Sequence, residues 1–124
     1  ESNINFDIKT TKGGMIDIEF LVQAIILNHS CTVVELRKNI GNIGLLKLSG
    51  EKGLIPSNLA NKVSRVYSKY RTIQHKYRLK GEKNVKVDFE NFKIQRNYVN
   101  QLWKKVFKNA PVNIRNLSDL NSEK

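Results

Sequence analysis

Cysteine is almost missing from this sequence: Cys31 stands alone among 124 residues. One thiol excludes an internal disulfide and a thiolate metal cage, and it suits a reducing, cytoplasmic setting. With no catalytic partner near it beyond His29, Cys31 reads as a small core residue. Proline and glycine are sparse, at 2 and 7 residues. Strand-rich folds consume many turns, so this scarcity points to helices. No signal peptide is evident, and no apolar run reaches the ~20 residues that cross a bilayer. The run Phe20–Leu27 is far too short and reads as a core helix. Catalytic hallmarks are missing as well: no phosphate-cradling GxxxxGK[ST] loop, no GxGxxG, no HExxH and no CxxC. His29 and His75 are not at a ligand-like spacing, so no metal site is expected.

What is present is positive charge. Lys and Arg number 22 against 11 Asp and Glu, for a net charge of +11. Such a surface suits an anionic partner, whether nucleic acid, nucleotide or acidic protein. Scattered Lys among many Asn is equally the mark of compositional bias, and nucleic acid is not the expected partner. The apolar share of 40% supports one core in a chain of one domain's size.

Along the chain, Ile4–Ile8 alternates apolar and polar residues, as a short strand or extended lead-in does. Gly13 and Gly14 then break regular structure. A first helix is expected from Met15 or Asp17 to Asn28–Ser30, apolar nearly all round and therefore central. Asp17 and Glu19 place negative charge in its opening turn. A second helix is expected from about Leu36 to Ser49, with Gly41 and Gly44 weakening it or marking a close helix contact. The third should open at Pro56-Ser57-Asn58, with a first-turn proline and a capping side chain, and run to Leu79. Its stripe is Leu59, Val63, Val66, Tyr70, Ile73 and Tyr77. After a loop at Glu82–Lys86, Asp88 is placed to cap a fourth helix ending near Lys108, whose apolar stripe Arg96 interrupts by snorkelling outward. Residues 109–124 read as a polar tail. The expected fold is all-α: a compact antiparallel bundle of about four main helices with an extended N-terminal lead-in.

The densest cluster runs from Lys9 to Gln23. Its plain reading is a helix start: glycines for the turn, acids for the dipole, Lys for solubility. Asp17 and Glu19 are two residues apart, so on a helix they diverge by about 200° and do not share an ion. One could face a neighbouring site while the other makes a structural bond. Gln23 lies on the Glu19 face, where the two could fix each other.

These residues also carry a resemblance. Phe6-Asp7-Ile8-Lys9, followed by Gly13-Gly14-Met15-Ile16-Asp17-Ile18-Glu19-Phe20-Leu21-Val22-Gln23, closely resembles a signature of the glutamine synthetase adenylyltransferase family. Gly53-Leu54-Ile55, the stretch Arg71 to Leu79 around His75, and Trp103 resemble later parts of the same pattern, so the likeness covers about residues 6–108. The resemblance implies a bifunctional parent that attaches AMP to a tyrosine of glutamine synthetase and removes it by phosphorolysis. It implies ATP and magnesium in that parent, with glutamine synthetase and the PII signalling protein as partners. The wording looks more like the adenylylating half. The nucleotidyltransferase fold of the family carries an Asp-x-Asp pair for magnesium, and this sequence has none. The chain is therefore expected to be a non-catalytic helical part of a longer protein. Residues 1–16 would lead in from a missing catalytic domain, its principal partner, 17–108 would form the bundle and 109–124 the tail. No catalytic residue is expected. Lys9, Lys12, Gly13, Gly14, Asp17, Glu19 and Gln23 are expected near nucleotide or at the interface with that domain. The similar helical module of a PII-protein uridylyltransferase is the nearest alternative parent. A free-standing basic helical adaptor that binds nucleic acid or an acidic protein is the alternative from another class. Lysines gathered on one face would favour the adaptor, and an apolar patch over Gly13–Phe20 a domain interface.

Overall fold

The computed structural model describes residues 5–83 and 85–108. The first helix, α1 (Met15–His29), buries Met15, Ile18, Leu21, Val22, Ala24 and Ile25 and packs against each of the other three main helices. It is central, as its apolar composition requires, though Leu27 on its far side is exposed.

The expected second helix is split. Residues Val34–Arg37 form a single 3₁₀ turn anchored by buried Leu36, and α2 runs only from Gly41 to Glu51. Lys38 is extended and Gly41 takes φ +81°, a left-handed value that a continuing helix cannot contain. The close helix contact falls elsewhere, at Gly50. A Cβ there would lie 2.8 Å from Ala60 Cβ on α3 (Ser57–Leu79). From that point the two helices run antiparallel to the Asn42–Tyr67 hydrogen bond at 3.1 Å.

Pro56 is the residue before α3, not its first helical residue, and no side chain caps that end. The expected stripe is buried at Leu59, Val63, Val66 and Tyr70 and half-buried at Ile73 and Tyr77. The stretch expected to be loop ends in a strand: β2 (Lys86–Asp88) pairs antiparallel with β1 (Asn5–Asp7), Phe6 opposite Val87. Ile8 N–H donates to Val85 carbonyl at 3.1 Å and prolongs the pairing. Asp88 caps a 3₁₀ turn over Phe89–Phe92 by accepting from Glu90 N–H, and α4 (Lys93–Val106) follows that turn. Among the described residues, four α-helices and this two-stranded ribbon share one core, in which Phe6 and Ile8 are fully buried. Phe6, Tyr70 and Phe92 lie with ring centroids about 6 Å apart, at 5.9 and 6.1 Å. Cys31, expected in the core, is exposed just beyond α1. The tail expected at 109–124 lies outside the described residues.

Candidate functional site

The segment between β1 and α1 is a tight turn that supplies its own helix cap. Asp7 opens it: its carboxylate accepts from the N–H groups of Lys9 at 2.9 Å and Thr10 at 3.3 Å, an Asx turn. Asp7 N–H donates to the Thr11 hydroxyl at 3.0 Å. The chain then folds back so that Met15 N–H reaches Ile8 carbonyl at 2.8 Å and Ile16 N–H reaches Lys9 carbonyl at 3.0 Å. Those are the first orphan donors of α1, taken by turn carbonyls where a capping side chain is absent.

Both glycines are required by this path. Gly13 has φ +89°, and a Cβ on it would meet Arg96 Cβ at 2.9 Å. Gly14 has an ordinary φ of −92°, but a Cβ on it would lie 2.5 Å from Ile8 carbonyl oxygen and 2.8 Å from that of Thr11. Tyr70 donates its hydroxyl to Gly13 carbonyl at 2.9 Å, and Arg96 Nε donates to Lys12 carbonyl at 3.4 Å. Arg96 therefore does not snorkel away. It lies across the turn with its guanidinium 5.5 Å from the Phe6 ring centroid.

Asp17 and Glu19 diverge as helix geometry demands, and each makes a structural bond. Asp17 carboxylate accepts from Gly13 N–H at 2.7 Å, a reach-back from the third helical position like half of a capping box. Burial pushes the Asp17 carboxyl above its ordinary pKa, while the Gly13 hydrogen bond and the nearby Lys12 charge pull the other way. Glu19 accepts from the Tyr67 hydroxyl at 2.7 Å, and that hydroxyl accepts from Asn42 Nδ2. Tyr67 is shifted upward by burial and by the Glu19 bond, and burial also raises Tyr70. The Glu19–Tyr67–Asn42 chain ties α1, α3 and α2 together. Among the described residues no hydrogen bond joins Glu19 to Gln23.

Outside this framework, Lys9 and Lys12 are exposed on the turn and Gln23 on α1. Ile16, Glu19, Phe20, Gln23 and Asn42 border a hollow of about 410 Å³. Ile16 and Phe20 are only half-buried, but the large exposed hydrophobics are Leu27, Val34, Ile40, Leu79 and Ile94, outside Gly13–Phe20. Asp17 and Glu19 point to separate internal donors, so they do not fit a magnesium site. Among the described residues no three His, Cys, Asp or Glu side chains gather for a metal. The structure adds Tyr67, Tyr70, Asn42 and Arg96 to the residues expected here. The sequence signals for three of them were a buried tyrosine's need for a hydroxyl partner and an arginine inside an apolar stripe.

A protein-family profile described as GlnD PII-uridylyltransferase matches residues 1–106. A protein of Chromobacterium violaceum named bifunctional glutamine synthetase adenylyltransferase/adenylyl-removing enzyme is 43% identical over 104 residues, 84% of this chain and 12% of its own length. Proteins of the same name from Bordetella bronchiseptica and Aromatoleum aromaticum are each 40% identical over 86% and 85% of the chain. The chain spans 11% of the length of each of those two relatives. No solved structure matches.

Proposed function

The chain belongs to the glutamine synthetase adenylyltransferase/adenylyl-removing enzyme family, and from that premise we propose that it is a helical module serving such an enzyme rather than the catalytic unit. Its parent would transfer AMP from ATP, with magnesium, to a tyrosine of glutamine synthetase, in the cytoplasm and under control of the PII signalling protein. A nucleotidyltransferase domain in the same polypeptide would hold the metal and the reacting phosphate. The residues of this chain shape and present. Gly13, Gly14 and Asp17 fix the turn, and Glu19 fixes α1 against α2 and α3. Lys9 and Lys12 offer cations to nucleotide phosphates at the domain boundary, and Gln23 with the adjoining hollow offers a surface for the neighbouring domain.

The observation that carries this reading is the division of labour within the Lys9–Gln23 segment. Its glycines and carboxylates are spent inside the fold, and its lysines and Gln23 face outward. The description of the matching family profile favours a second reading, in which the module serves a PII-protein uridylyltransferase.

Calorimetry with magnesium and ATP tests the proposal on this chain and on a polypeptide extended upstream. Binding by the extended form alone is expected. Tight binding by this chain alone would contradict the assignment of nucleotide binding to another domain. Absence of binding in both would favour a free-standing adaptor.

A further inference from the structure

Helix α3 contains no Asp or Glu in its 23 residues, yet it carries Lys62, Arg65, Lys69, Arg71, Lys76 and Arg78. Arg71, His75 and Arg78 recur at helical spacing and fall on one face. With Ser68, Thr72 and Gln74 they line a hollow of about 390 Å³ that has Ile43 of α2 at its side. A second hollow, of about 360 Å³, continues along the same helix pair between Lys47 and Arg65 and shares Ile43 and Ser68 with the first. Together they form a groove whose outer arginines, Arg65 and Arg78, are separated by roughly 20 Å along the helix. No carboxylate lines either hollow. The ion pair found among the described residues, Lys52 with Glu35, lies outside both, and Lys47, Arg65, Arg71 and Arg78 make no salt bridge among those residues.

Cations gathered at this density along one helix repel one another, and neutralisation by an anionic partner relieves that repulsion. Two observations select the kind of anion. Tyr67 and Tyr70 of α3 are buried, so the helix offers neither of them as a platform for stacking nucleic acid bases. Half-buried Ile43 supplies an apolar contact amid the cations, which suits an aliphatic side chain flanked by carboxylates and has no use for a phosphate backbone.

We propose that the α2–α3 groove docks an acidic protein segment, with carboxylates on Arg65, Arg71 and Arg78 and an aliphatic residue against Ile43. This rests on the reading of the parent as an enzyme that modifies a protein. The test needs no activity, however, so peptide binding can fail while that reading stands, and AMP transfer can fail while binding persists.

The experiment is fluorescence anisotropy on the chain at physiological salt, with a labelled Glu- and Asp-rich peptide carrying one central Leu. The double substitution Arg71→Ala with Arg78→Ala should weaken binding about tenfold or more. Lys104→Ala with Lys105→Ala on α4 should change it less than about twofold, and exchanging the peptide's Leu for Ser should weaken it. Circular dichroism verifies that both variants retain their helices. No binding, or equal weakening by the two double substitutions, overturns the proposal, the latter because it assigns the affinity to overall charge. Displacement of the peptide by an equal concentration of duplex DNA overturns it in favour of nucleic acid.

Discussion

Gly14 sits where two backbone carbonyls, of Ile8 and Thr11, close over its α-carbon, and neither is a flexible side chain that can swing aside. Gly14→Ala should therefore cost about 2–3 kcal/mol, in the range of overpacking, despite an ordinary φ. The shift of the urea midpoint measures it. Asp17 gives a pH signature. Its folded pKa is raised, so as pH climbs the unfolded chain releases this proton first, and stability falls from the ordinary carboxyl value up to the raised folded one. Asp17→Asn keeps an oxygen that accepts from Gly13 N–H and removes the charge. Stability measured against pH should then lose that decline. Tyr67→Phe removes the hydroxyl shared by Glu19 and Asn42 and should cost about 1–2 kcal/mol by denaturant titration. The sequence announced that Gly13, Gly14, Asp17 and Glu19 form a turn and a helix start. It did not reveal their partners, because Ile8, Tyr67 and Tyr70 meet them only after the chain has folded back.

Between elements, α2 approaches α3 closely at Gly50. Gly50→Ala should destabilise by about 1–3 kcal/mol, because the new methyl meets Ala60 Cβ at 2.8 Å. Ala60→Gly removes that methyl but costs about 1 kcal/mol of helix propensity by itself. Together the two should cost less than their sum, and a double-mutant cycle reads the difference. Helix α3 was readable from its periodic stripe and α1 from the length of its nearly all-apolar run after Gly13-Gly14. The α2 boundary was not, because Ile40 and Ile43 kept helical spacing across a glycine whose positive φ no pattern reports. Strand β2 was missed for a different reason: three residues are too few to display alternation, and its pairing with β1 joins chain positions some eighty residues apart.

For the whole molecule, one core runs from Phe6 through Phe107, so the N-terminal strand and the signature turn fold with the bundle and not apart from it. That arrangement ties the turn at the start of the Lys9–Gln23 segment to α3 and α4 through Tyr70 and Arg96. The excess charge has an address too: α3 is free of carboxylates, which the overall value of +11 could not indicate. The central claim is that this module serves AMP transfer and does not perform it. The most direct measurement is incorporation of labelled AMP into glutamine synthetase from magnesium-ATP, by this chain and by a polypeptide that includes the upstream region. The account predicts incorporation by the longer polypeptide only, reduced when Gly14→Ala distorts the turn. Incorporation by this chain alone, or none by the longer form, would contradict it.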